Sequence, residues 1–285
     1  SGGLVLFGFQ NLVTLFIGIE ILSIPLYVMA GSNKTDLRST EASMKYFLMG
    51  AFATGFLMFG VALVYGSVGS FDMYVIHDFA ISNPKNLMLS LAPFHMWSPD
   101  VYQGSPSLIT GFMASVVKIS GFFALFKLMT LGFGGIAGEW INILGVFVII
   151  TLLLANVMAL VQTNAKRMLA YSSVSHAGYI SLIFFGLNNF STSILGFYLF
   201  AYSLATVGVF ISLIWVEKIK KETSFAAFNG LGKKEPLLAI GATVSMLSMA
   251  GIPLTAGFIG KLSIFNQAIG GGSSFLVLVA ILGSA

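Results

Sequence analysis

Seven apolar runs, each long enough to cross a lipid bilayer, take up most of this chain: roughly 4–30, 42–66, 107–131, 140–162, 168–187, 194–216 and 236–269. About 20 apolar residues span a bilayer as a helix, so the runs predict an all-α polytopic membrane protein. Charge points the same way. Only 8% of the 285 residues are charged, against about 25% in an ordinary soluble domain. A soluble fold cannot cover itself with so few ions, which excludes a soluble enzyme, a nucleic-acid binder and a disordered chain. The chain has no Cys, which removes disulfide frameworks, thiolate metal sites and Fe–S clusters. Three His are too few to make a haem or metal site an attractive reading.

Ser1 is not an initiator Met, and the apolar run that follows has neither a basic leader nor a small-residue cleavage site. The chain is therefore expected to be a piece of a longer protein. It also stops inside an apolar run, Phe275–Ala285, that is too short to span.

The stretch 87–105 is ambiguous, with eight apolar residues from Leu87 to Phe94 before His95, Trp97 and Pro99. The basic residues resolve it. If 87–105 crosses, loops 31–41, 163–167 and 217–235 share one face and carry Lys34, Arg38, Lys166, Arg167, Lys218, Lys220, Lys221, Lys233 and Lys234. The opposite loops carry Lys85 and, at a helix end, Lys127. Such a bias marks the basic face as cytoplasmic, and the net charge of +4 is a topology signal rather than a nucleic-acid footprint. The longest polar connections are 67–86 and 217–235, the second a basic amphipathic surface stretch.

Four charges lie inside apolar runs. Glu20 is near the middle of Leu4–Met29, Lys118 near the middle of Leu108–Leu131, and Lys261 follows Pro253 in the last run; Lys45 lies nearer the basic end of its span. A charge at mid-membrane costs roughly 2.5–3.5 kcal/mol on insertion scales, and such residues mark ion paths or paired structural charges. Lys45 and Lys127 have the alternative of snorkelling to the interface. For Glu20, Lys118 and Lys261 the readings are a static ion pair or a proton path. Burial disfavours the charged form of a lysine and a nearby carboxylate favours it, so moving the carboxylate's partner makes the lysine release or take a proton. His176, in a polar stripe with Tyr171, Ser172, Ser173 and Ser175, is either a relay between Lys118 and Lys261 or a hydrogen-bonded packing residue. The serines have no nearby carboxylate to complete a hydrolytic set.

The last apolar run is too long for one straight helix, and Gly251-Ile252-Pro253 predicts a break within it. Pro93, Pro99 and Pro106 mark a second interrupted region. Discontinuous helices in two matching copies are a recurrent device of transporters.

Three stretches carry a resemblance. Residues 92–106 (APFHMWSPDVYQGSP), 162–179 (QTNAKRMLAYSSVSHAGY) and 248–261 (SMAGIPLTAGFIGK) resemble the signatures of the antiporter-like membrane subunits of proton-pumping NADH:quinone oxidoreductase, respiratory complex I. The Asp100-Val101-Tyr102 form favours subunit N. The resemblance covers almost the whole chain, as the fifth through the start of the thirteenth helix of a fourteen-helix parent. It implies inverted repeats, with residues 1–131 as a partial first repeat and 132–285 as a partial second, and about eight or nine membrane segments present. It implies that Glu20, Lys45, Lys118 and Lys261 match the family's proton-path residues, with helix breaks at Pro93, Pro106, Gly251 and Pro253. It also implies that nicotinamide, flavin, Fe–S and quinone sites belong to partner subunits, so that no cofactor is expected in this chain. The expected partners are the other membrane-arm subunits in a bacterial inner membrane. One departure stands out: where the family carries a pumping lysine five residues before Pro93, this chain has Met88. The run upstream is too short to span, about fifteen residues short of the family's spacing. The alternatives are a cation/proton antiporter subunit, which the scarcity of acids disfavours because hard cations want oxygen ligands, and a structural subunit that does not pump.

Overall fold

The computed structural model describes residues 1–82 and 98–284. Met88, Pro93 and His95 lie outside the described residues. The described chain is helical; its only extended pairings are two isolated bridges, Asn11 with Asp72 and Asn164 with Ser224. In chain order the helices are α1 (Gly2–Gly8), α2 (Leu12–Ala30), α3 (Leu37–Val68), α4 (Met73–Ser82), α5 (Ser98–Gly104), α6 (Ser107–Phe112), α7 (Lys118–Lys127), α8 (Ala137–Leu160), α9 (Ala165–Ser181), α10 (Ser191–Lys220), α11 (Leu231–Lys234), α12 (Pro236–Ala250), α13 (Ala256–Gly270) and α14 (Ser274–Ser284). Among the described residues, six stretches are long and apolar enough to cross a membrane.

The expected run 4–30 is two helices, not one. Asn11 is extended (φ −138°, ψ 162°) and its side chain accepts from Thr14 N, a helix start built from a single cap. The Leu12 N–H donates to Phe71 O and the Met73 N–H to Gln10 O. The same pairing anchors α4, so the connection 67–86, read as polar loop, contains a helix. Met73, Ile76 and Ala80 are its buried side chains.

The span Ser107–Gly132 is continuous but not regular. A π-helical turn, Met113–Val117, joins α6 to α7, and a second, Leu128–Gly132, follows α7. Single π turns inside α-helices are frequent at functional sites, and Lys118 is the first residue after the first one. Pro106 stands between α5 and α6 as the cap residue of α6, where its missing N–H costs nothing.

The break in the last run falls where Gly251 and Pro253 predict it. The α12 helix ends on Gly251 in the left-handed conformation (φ 81°), which glycine adopts without a Cβ penalty. Leu254 also has positive φ (77°), and Thr255 restarts the helix by accepting from Phe258 N. Across the break α13 comes close to α12: the Gly257 N–H donates to Ser248 Oγ at 3.1 Å, and a Cβ on Gly257 would strike the Ser248 carbonyl.

Polarity is turned inside out relative to a water-soluble bundle. The most apolar span, Gly134–Leu160 (mean hydropathy 2.7), has 22% of its window buried within the chain; the most polar, Ala165–Gly186 (1.2), has 72%. Lipid is as apolar as a leucine side chain, so polar helices gain by turning inward and apolar ones lose little by facing out. That places the polar stripe of α9 at the centre.

Contacts gather the basic loops at one end. Arg167 Nη1 lies 3.4 Å from Asp100 Oδ1, Gly104 abuts the Arg38 carbonyl, and Asn164 bridges to Ser224. Lys127 is at the other end, with Nζ 3.3 Å from Phe7 O and 4.9 Å from the Phe9 ring centroid. There it sits beside the carbonyl-rich terminus of α1, a favourable place for a cation.

Candidate functional site

On α9, Ser173, His176 and Tyr179 follow at three-residue spacing, so all lie along one face. That face meets α10, where Tyr202 and Tyr198 are four residues apart on the facing side. Lys118 and Lys261 approach from α7 and α13. The Lys118 ammonium donates to Ser173 O and Ser173 Oγ and to Tyr202 Oη at 3.0 Å, with its Nζ 4.6 Å from the Tyr202 ring centroid. The Tyr202 and His176 rings lie 4.6 Å apart. His176 Nδ1 shares a 2.6 Å hydrogen bond with Tyr198 Oη, and the His176 and Tyr179 centroids are 5.9 Å apart.

Lys261 closes the series. It is buried (7% exposed), donates to Ala250 O at 3.0 Å and sits 4.6 Å from the Tyr179 ring centroid. Ala250 is the last residue of α12, so the ammonium takes a carbonyl that the break leaves without a helical partner. Gly251 allows it: a Cβ there would lie 3.0 Å from Lys261 Cδ. Gly260 does the same for Tyr198, whose ring fills the space of its missing side chain. Among the described residues, no carboxylate lies within ion-pair distance of Lys118 or Lys261. Both cations are held by neutral oxygens and ring faces. A cavity of about 370 Å³ reaches Lys118 and Ser173 and is otherwise lined mostly by apolar side chains, among them Phe122, Leu125, Phe147 and Val148.

The other sequence-selected charges stand apart from this series. Glu20 Oε1 accepts from Thr54 Oγ1 at 2.8 Å, and among the described residues no lysine pairs with it. Lys45 pairs with Glu41 at 2.8 Å and Asp100 at 3.1 Å. Arg167, on the same Asp100, also donates to Gln103 Oε1 at 3.0 Å. Glu41, Lys45, Asp100 and Gln103 rim a polar cavity of about 250 Å³ with Arg38. Lys45 is therefore a half-exposed member of a rim network. The sequence isolates the four charges and His176; it does not single out Tyr179, Tyr198 or Tyr202 as partners, nor Thr54. Lys166 and Arg167 both lie in the first turn of α9 rather than in the connection before it, and of the two Lys166 is the buried one, at 3% exposed.

Residues 10–285 match the family described as NADH:quinone oxidoreductase/Mrp antiporter, transmembrane. A protein of Cytophaga hutchinsonii named NADH-quinone oxidoreductase subunit N is 43% identical over 295 aligned residues, covering 99% of this chain and 65% of the relative. That alignment exceeds the chain's 285 residues by ten, so the relative carries at least ten residues there that this chain lacks. A chain of respiratory complex I from Thermus thermophilus superposes with a TM-score of 0.82 at 35% identity, covering 99% of this chain and 64% of its own length. A chain of an archaeal membrane-bound sulfane sulfur reductase superposes with a TM-score of 0.88 at 29% identity, covering 99% and 61%. The chain thus spans about two thirds or less of the relatives that it matches.

Proposed function

This chain belongs to the NADH:quinone oxidoreductase/Mrp antiporter transmembrane family, and from that premise we propose that it is part of a proton-translocating, membrane-arm subunit of an NADH:quinone oxidoreductase. The observation that carries the reading is the buried series Lys118, Tyr202, His176, Tyr179 and Lys261 inside an apolar bundle. Ionisable groups are expensive there, and here they are bridged by the Tyr202 hydroxyl on Lys118 and by packed rings around an imidazole rather than neutralised by carboxylates. Lys118 is the central relay, His176 passes the proton on, and Lys261 is the carrier on the exit side. The break at Gly251–Thr255 supplies the backbone carbonyl and the slack with which Lys261 changes partner. Glu20 modulates the first half from α2. Residues 1–131 and 132–285 form the two partial repeats, and the end bearing 31–41, 163–167 and 217–235 faces the cytoplasm.

Electron transfer, with its nicotinamide, flavin, Fe–S and quinone chemistry, belongs to other subunits of the assembly and drives the proton steps here. The test is Lys261→Ala in the assembled complex, reconstituted into sealed vesicles. Coupled proton pumping is expected to be lost while assembly, read from the intact complex on a native gel, is unchanged. Unaltered pumping would leave the chain a structural subunit.

A further inference from the structure

Two polar layers cross the same three helices at different depths. The deeper holds Lys118, Ser173, Tyr202 and His176. The shallower, at the basic end, holds Lys166, Glu217, Ser105 and Ser107. Lys166 Nζ donates to Ser105 O at 2.6 Å and lies 3.7 Å from Glu217 Oε1; Ser107 Oγ donates to Glu217 Oε2. The Lys166 side chain is 4% exposed and the Glu217 side chain 37%, so the carboxylate reaches outside water while its partner ammonium does not.

Helix register ties the layers together. From Ser107 the inward face of α6 and α7 runs through Gly111 and Ala114 to Lys118. From Lys166, α9 runs through Leu169 and Ala170 to Ser173, seven residues or about 10 Å of helix. From Glu217, α10 runs back through Leu213, Phe210 and Thr206 to Tyr202. What separates the layers is an apolar plug: Leu169, Ala170, Phe210 and Leu213 are each 3% exposed or less. The Phe210 side chain fills the space of Gly111's missing Cβ. Within the plug the Thr206 hydroxyl is buried, and among the described residues it has no hydrogen-bond partner. A buried polar group without a partner is costly unless water reaches it, so Thr206 marks where a water belongs once the plug opens.

We propose that Glu217, held by Lys166, is a proton-loading site for Lys118, and that Phe210 seated on Gly111 is the gate between them. Glu217 takes a proton from water at the basic face and its pairing with Lys166 weakens. When Phe210 leaves Gly111, water at Thr206 connects the layers. Once Lys118 has passed its own proton on towards His176, the Glu217 O–H bond breaks, an N–H bond forms on Lys118, and the carboxylate pairs again with Lys166. The inference rests on the proton-translocating reading of the Lys118–Lys261 series, and it adds an intake, loaded from Glu217 in residues 132–285, that does not use Glu20.

The experiment uses the assembled complex in sealed vesicles and measures protons pumped per electron. Glu217→Gln is expected to slow pumping roughly tenfold to 100-fold, at or below the usual loss for a positioned proton-transfer group, and Glu217→Asp to recover most of it. Because an unpaired buried Lys166 can destabilise the subunit, the double variant Lys166→Met with Glu217→Met provides the control: it removes both charges at similar volume. If it assembles and pumps at the wild-type rate, the pair is structural and the proposal is overturned. Phe210→Ala, by holding the gate open, is expected to raise passive proton leak through vesicles at rest, and an unchanged leak overturns the gate. Lys118→Met separates the two levels. If it pumps normally, the reading of the series itself fails; if it is dead while every Glu217 variant pumps normally, only the loading site fails.

Discussion

His176→Gln tests whether the imidazole moves protons or only fills the centre of the bundle. The ring shares a 2.6 Å hydrogen bond with Tyr198 Oη, and Tyr198 is 1% exposed. Leucine at 176 leaves that phenol without a partner, a loss of about 1–3 kcal/mol. Glutamine has both a donor and an acceptor on a side chain of similar reach, so it keeps the bond, and stability should fall by no more than about 1 kcal/mol. What glutamine cannot do is take up and release a proton. Loss of a positioned proton-transfer group costs roughly 10²–10⁴ in rate, so the two properties separate by at least an order of magnitude in effect. The assay measures the initial rate of vesicle acidification per electron alongside thermal unfolding of the purified complex. The relay account expects His176→Gln to unfold near the wild-type temperature and pump at about 1% of the wild-type rate or less. Wild-type pumping in His176→Gln, with only His176→Leu defective, would refute the relay and leave a packing histidine.

Glu20→Gln is expected to cut coupled pumping at least roughly tenfold, a loss of proton-transfer function, whereas Glu20→Asp keeps most of it; the same vesicle assay decides. Thr54→Val removes the hydroxyl that Glu20 accepts at 2.8 Å and should destabilise the subunit by about 1.5–3 kcal/mol if that carboxylate is ionised, read as a lower unfolding temperature. Gly257→Ala drives a Cβ into the Ser248 carbonyl, an overpacking cost of about 1–3 kcal/mol, and should impair pumping by displacing α13 and Lys261; pumping and unfolding temperature at wild-type values would show that the α12–α13 approach is loose.

What the sequence made legible follows from the scarcity of charge. In a chain with so few ions, Glu20, Lys118 and Lys261 stand out because each interrupts an apolar run, and the structure gives each defined polar contacts. The break at Gly251 was legible for a backbone reason, since Pro253 lacks an N–H and disfavours helix at Ile252, and Gly251 takes the left-handed cap without a Cβ penalty. Other features left no such mark. The tyrosines count as apolar in a hydropathy sum, yet Tyr198 and Tyr202 supply hydroxyls to His176 and Lys118 from residues 22 and 84 positions away. Lys166 looked like one more loop charge, because nothing in a basic pair shows which member turns inward; Glu217 on the neighbouring helix decides that. The division of 4–30 rests on Asn11 and its pairing with Asp72, a long-range contact that no local pattern encodes. Helix α4 was hidden because its ten residues are too few to span and its apolar side chains point both inward and outward, with Tyr74, Val75 and Ile81 exposed.

The central claim is that Lys118 and Lys261 lie in series on one proton path. The measurement that tests it most directly is protons pumped per electron for Lys118→Met, Lys261→Met and the double variant in the assembled complex. Groups acting as one unit are non-additive, so the account predicts that each single variant loses pumping and that the double loses no more than either. Losses that add across the double variant, or full pumping in either single one, would contradict it.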